Sequence, residues 1–214
     1  MIDILQNDTI PEDDKYVILN SSDIFKEFLS NKNVTVQSLD DLLNYYDQNS
    51  EYDDVLNNRA YTWKVYSRSG RLGDLEVWQT INTAFNLWST ISNNRFYYRG
   101  RGKTDFNIGF VRGNHYTSSG YSCSPFSYTT LAHAYYPYTP YAGEVHFNDA
   151  QKFQGVRGEI SYSLLHVAVH EIGHALGLAH NNRRSSIMFP TEPYNRHLNL
   201  NLRFFDDWDI NQFR

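Results

Sequence analysis

Eleven consecutive residues, His170-Glu171-Ile172-Gly173-His174-Ala175-Leu176-Gly177-Leu178-Ala179-His180, combine three imidazoles, one carboxylate and two glycines at spacings that could converge on a single metal ion. At 3.6 residues per helical turn, positions four apart share a face, so His170 and His174 can offer nitrogens to the same ion while Glu171 sits beside it. Gly177, three residues after His174, tolerates the positive φ that stops a helix and swings the chain back, which lets His180 complete the set. Three neutral imidazoles with an open fourth position describe a catalytic rather than a structural zinc site. Zinc so held would lower the pKa of a water toward about 7 and polarise a scissile carbonyl, and Glu171 would take the proton and later pass it to the leaving amine. The chemistry is metal-assisted amide hydrolysis. A His-containing helix packed in a core by accident is a real competitor for HExxH alone, but not for the longer spacing. A second feature is Met188 in Ser186-Ile187-Met188-Phe189-Pro190, eight residues past His180, although a lone Met usually fills a core.

Taken together, the long motif and the following methionine resemble the metzincin metallopeptidases, and the interval to Met188 is that of the matrix metalloproteinases, or matrixins. The likeness continues through Tyr61 to Ser67 as a first strand and Val77 to Ile91, with Phe85-Asn86-Leu87-Trp88, as a first helix. It also takes in Phe110-Val111-Arg112-Gly113-Asn114-His115, Leu131-Ala132-His133-Ala134 and Val145-His146-Phe147. What the resemblance implies is an α+β catalytic domain over residues 60–214, with a twisted five-stranded mixed sheet and three helices. A short helical N-terminal segment, residues 1–59, precedes it. Strand-like stretches at Arg95 to Tyr98, Phe106 to Val111, Thr129 to Ala134 and Gly143 to Phe147 fit that expectation. Helices are expected from Ser163 to Leu176 and from Phe204 to Phe213. The edge strand, with Leu131, Ala132 and Ala134, would be the platform on which an extended peptide adds as a further strand. Pro190 and the segment from Thr191 to Asn201 would wall the pocket for the residue after the scissile bond, a large apolar one by family resemblance. Met188 would form the floor beneath the metal, and Asp206-Asp207 would brace the turn that carries it.

A second, structural zinc is implied by the same likeness, on His115, His133 and His146. The family's fourth ligand is an aspartate two residues after the first histidine, but Thr117 stands there, and a hydroxyl is a poor zinc ligand. Cys123, the sole cysteine, could supply a thiolate, water could complete a three-histidine site, or the histidines could simply be hydrogen-bonded within the sheet. Calcium is doubtful, because the acidic cluster expected after the fifth strand is reduced to Asn148-Asp149-Ala150-Gln151.

The segment 1–59 holds helical patterns around Ile24 to Leu29 and Leu39 to Tyr46 that resemble the end of a matrixin propeptide, but no cysteine switch. Asp53 or Asp54 could reach the zinc instead and give a weaker latency; an ordinary helical extension is the alternative. With 214 residues, 41% of them hydrophobic and 16% aromatic, the chain can bury a real core. A net charge of −5 and no basic stripe argue against a nucleic-acid surface, and no stretch is long and apolar enough to span a membrane. The start, Met1-Ile2-Asp3-Ile4-Leu5, has no signal-peptide pattern, and a secreted location is implied only by the family. One cysteine excludes an intrachain disulfide, and Asn7, Asn20 and Asn33 lie in glycosylation sequons. The expectation is a monomeric zinc endopeptidase acting on proteins or peptides; the alternative is a zinc scaffold that binds or inhibits without turnover, against which an intact Glu171 speaks.

Overall fold

A computed structural model describes residues 60–92, 94–154, 162–191 and 205–213. The two N-terminal helical patterns, the sequons, Asp53, Asp54 and the pocket wall beyond Thr191 lie outside the described residues.

The sheet is assembled from strands rich in β-branched and aromatic residues: β1 (Ala60–Ser67), β2 (Arg95–Tyr98), β3 (Phe106–Val111), β4 (Ala132–Ala134) and β5 (Glu144–Asn148). Their order is β2-β1-β3-β5-β4. The first four in that row run parallel, and β4 pairs antiparallel with β5 through Ala132↔Phe147, His133↔His146 and Ala134↔Val145. Thus β4 is an edge strand, and its central residue faces a histidine on its neighbour. Two residues each in β6 (Phe153–Gln154) and β7 (Tyr162–Ser163) form a small separate ladder.

Three helices accompany the sheet among the described residues: α1 (Asp74–Ser92), α2 (Leu164–Ala175) and α3 (Asp207–Asn211). Along α1 the buried positions Val77, Trp78, Ile81, Ala84, Phe85 and Trp88 recur every three or four residues, making one apolar stripe. That stripe closes on the sheet through Phe85 stacked on Trp63 at 5.2 Å, and on α2 through the Trp88 Nε1–H, which donates to the Val169 carbonyl at 2.9 Å. Trp63 is fully buried, so its truncation to Ala would cost about 3–5 kcal/mol in lost burial and cavity formation. The sequence-based strand limits match at β2 and β3 and fall within one residue at β1 and β5, whereas β4 is shorter than Thr129 to Ala134 because only three of those residues pair with β5. The last helix is likewise shorter than expected: Asp206 caps it from outside, and it ends at Asn211.

Both ends of α2 are chemically defined. Ser163 is the N-cap, its hydroxyl accepting from the His166 N–H at 3.2 Å. At the other end the Leu178 N–H reaches back to the Gly173 carbonyl and the Gly177 N–H to that of His174, both at 2.9 Å. This is a Schellman closure with Gly177 at φ +107°, a conformation that a side chain would strain. The helix therefore stops one residue after His174, and the chain turns back toward it.

Candidate active site

That reversal brings His180 against the two helical histidines. The Nε2 atoms of His170, His174 and His180 lie 3.0–3.2 Å from one another. Two of the rings have their tautomer set from behind. The His170 Nδ1–H donates to the Ile187 carbonyl and the His174 Nδ1–H to the Leu178 carbonyl, each at 2.7 Å. Both Nε2 lone pairs therefore point inward. Lone pairs converging at this distance repel unless a cation lies between them, and tetrahedral zinc places imidazole nitrogens about 3.3 Å apart. Burial favours the neutral, ligand-competent form of each ring: it pulls His170 down to about 3, and lowers His174 and His180.

Glu171 is on the same helix, buried, and its Oε2 has no hydrogen-bonding partner. Desolvation alone pushes this carboxyl up to about 8. An orphaned carboxylate oxygen beside three inward-facing imidazoles is a donor set that fits a zinc ion and its water.

The helix can come this close to its floor because residue 173 is glycine. A Cβ there would lie 2.6 Å from Met188 Sδ and 2.8 Å from the Trp88 ring. Met188 is fully buried in the turn that follows the motif. Asp206, named by the sequence together with Asp207, braces that turn, and Asp209 joins it. Asp206 accepts from the Ser185 hydroxyl at 2.8 Å, while the fully buried Asp209 accepts from the Ser186 hydroxyl and the Ile187 N–H at 2.5 and 3.1 Å. Helical spacing explains the part played by Asp209: Asp206 and Asp209 form a reciprocal capping box, three residues apart, and so share one side of the turn.

The three histidines open onto a cleft of about 470 Å³ between β4 and α2. Leu131, Ala132 and Ala134 border it on the strand side, Val167 and Glu171 on the helix side, and Pro190 with Thr191 at one end. Tyr136, which sequence reasoning passed over, also borders the cleft, its hydroxyl 3.4 Å from His174 Nδ1.

This geometry is reflected in what the sequence matches. The family model for Matrixin matches residues 55–213. The chain belongs to the matrixin family. Macrophage metalloelastase of Rattus norvegicus is 36% identical over 143 residues, covering 64% of this chain and 28% of that protein. Interstitial collagenase of Bos taurus is 33% identical over 147 residues, 67% of this chain and 29% of that protein. Neutrophil collagenase of Homo sapiens is 32% identical over 143 residues, 66% of this chain and 29% of its own length. This matrixin chain thus spans less than a third of the length of these relatives.

On the other side of β4 this matrixin gathers a second group of histidines. His115 Nε2 lies 3.3 Å from His133 Nε2 and 3.2 Å from His146 Nδ1, and the last two atoms are 3.0 Å apart. Cys123 joins them, with Sγ 3.6 Å from His146 Nδ1, whereas Thr117 is used elsewhere. The His115 Nδ1–H donates to the Gly113 carbonyl at 2.8 Å, and His146 Nε2–H to Glu144 at 3.0 Å. Glu144 also accepts from the Ser118 N–H at 2.9 Å and from the Ser118 hydroxyl. The Tyr66 hydroxyl lies 3.0 Å from the same His146 nitrogen. Burial lowers His133 to about 4 and lowers His115, and it raises the Cys123 thiol, a balance that a cation at the centre would reverse. Glu144 went unnoticed in the sequence, yet the signal was there: in a strand, residues 144 and 146 share a face.

Near the end of β5, Asp149 accepts from the Ser69 hydroxyl at 2.7 Å, from the Gly70 N–H and from Arg112 Nη2 at 2.7 Å. A guanidinium therefore supplies the positive charge at this carboxylate.

Proposed function

We propose that this matrixin is a zinc-dependent endopeptidase that hydrolyses peptide bonds in proteins, with His170, His174 and His180 holding the metal. The observation that carries the reading is the inward convergence of three Nε2 atoms within 3.2 Å beside the unpartnered, buried Glu171 oxygen at the floor of an open cleft. Zinc, when bound, would acidify a water and polarise the substrate carbonyl. Glu171 would receive the proton at its unpartnered oxygen and return it to the leaving amine. Pairing of an extended substrate along the exposed side of β4, with Leu131, Ala132 and Ala134 alongside, would align the scissile bond over the histidines. Val167, Leu131 and Pro190 make the adjoining wall apolar, which supports a preference for a large apolar residue after the scissile bond.

The reading extends to a second, structural zinc on His115, His133 and His146, supported by their 3.0–3.3 Å convergence and by the donor contacts behind His115 and His146. It includes no calcium at Asp149, where Arg112 provides the compensating charge. Family membership is the support for a secreted enzyme; residues 1–54 stand outside the matched span.

Hydrolysis of a quenched peptide with Leu after the scissile bond tests the activity. The zinc-loaded chain should cleave it, and chelator or Glu171→Ala should each abolish turnover. A zinc-loaded chain that is inert, and stays inert when trimmed to residues 60–214, would overturn the peptidase reading in favour of a binding scaffold.

A further inference from the structure

We propose that Cys123 is the fourth ligand of the second centre, making it a His₃Cys zinc site in which a thiolate takes the place of the family's carboxylate. This rests on the second-zinc reading above and names the ligand that reading leaves open.

The argument begins with the backbone. Tyr116 and Ser122 form an antiparallel bridge, the Thr117 N–H donates to the Tyr121 carbonyl at 2.8 Å, and the Cys123 N–H donates to that of His115 at 3.3 Å. The register sets residue 116 against 122, 117 against 121 and 115 against 123. Residues directly opposite in an antiparallel ribbon project to the same face, so His115 and Cys123 are presented together. Thr117 is committed to the turn: its hydroxyl accepts from the Tyr121 N–H at 3.1 Å, and its carbonyl from the Gly120 N–H at 2.9 Å. A short hairpin thereby sets Cys123 beside His115 while holding Thr117 in its turn.

The resulting constellation has the dimensions of a metal centre. One ligand atom from each of His115, Cys123, His133 and His146 falls within 4.8 Å of all the others. Tetrahedral zinc, with Zn–N near 2.05 Å and Zn–S near 2.3 Å, places sulfur about 3.6 Å from each nitrogen. The distance from Cys123 Sγ to His146 Nδ1 is 3.6 Å. His146 is fully enclosed and His115 nearly so, while Cys123 and His133 are half-buried, so four protein ligands fill the coordination sphere that a structural zinc site requires. A soft sulfur with three imidazoles selects zinc, and cobalt as its probe, against calcium or magnesium, which require oxygen ligands.

Cys123 is the only cysteine, so any thiolate-to-metal signal from this chain has a single possible origin. The test is to reconstitute the full chain with cobalt(II), count metal per chain by elemental analysis, and record the near-ultraviolet spectrum. Two cobalt ions per chain with a thiolate-to-cobalt charge-transfer band are expected. Cys123→Ser should lose the band and weaken the second ion by more than the roughly 10–100-fold that loss of an outer-shell partner costs. Cys123→Asp should recover two ions without the band. Two ions with no such band in the unmodified chain would overturn Cys123 as ligand while leaving the second centre standing. One ion per chain would overturn the centre itself. Should the variants fail to fold, alkylation of the unmodified chain decides: metal should protect Cys123 from iodoacetamide, and equal rates with and without metal would sink the proposal.

Discussion

Two histidine triads lie on either side of one short strand, and they differ in what stands behind the rings and in front of them. His170 and His174 are oriented by backbone carbonyls and face an open cleft, with an unpartnered carboxylate at hand. His146 is oriented by a carboxylate that is itself held by Ser118, and its cluster includes a cysteine where the first triad has open space. Imidazole chemistry is common to both. Access and the fourth position separate a site suited to turnover from one suited to holding a loop.

The contrast breaks most visibly at Glu171. Replacing it by Gln should lower kcat by about 10²–10⁴-fold. The same change should not lower the thermal midpoint of the metal-free protein, because a buried carboxylate with an unpartnered oxygen opposes folding once charged. A variant that keeps its activity would remove the base from the mechanism, and one that loses activity through unfolding would show that Glu171 supports the fold.

Glu144→Gln sharpens the contrast from the closed side. It removes the charge that orients His146, and the affinity of the second centre should fall roughly 10–100-fold. Titration with a competing chelator should show the change at one ion only, with that of the cleft unaltered. Equal weakening of both would mean that the two centres are not independent.

The smallest effect is one the triads share. Burial holds His170 at about 3 and His133 at about 4, both down from 6.5. The unfolded chain therefore binds protons that the folded chain excludes. Stability is complete above about 6.5 and declines as pH falls toward 4. Glu171 acts in the other direction, its contribution fading as pH rises from 4.5 through about 8, so the histidine slope is cleanest in Glu171→Gln. Thermal melts of that variant in chelator at several pH values should show a midpoint falling with acid; a flat profile would mean that these rings are protonated or exposed in the metal-free fold.

Most of this site could be read from the sequence because it is local. Helix pitch fixes His170, Glu171 and His174, and Gly177 fixes the reversal that carries His180. The β strands around the sheet were legible from their aromatic and β-branched content, and the limits of β2 and β3 agree with the structure. What escaped depended on groups brought together by folding. Asp209 reaches the Met188 turn across 22 residues of chain, and Tyr66 reaches His146 across 80. Pairing of Tyr116 with Ser122 depends on a loop with no regular pattern, so the sequence alone leaves Cys123 as one alternative among several.

Strand β4 is three residues long, and its neighbours on either side in sequence belong to loops. Ala132 and Ala134 border the cleft, as does His133, whose ring also joins the second cluster. Because strand side chains alternate, sliding β4 by a single position would exchange these two roles at once. Two functions are thus threaded on the same three peptide units, and variation in this segment is confined to substitution in place: an inserted or deleted residue cannot change one centre and spare the other.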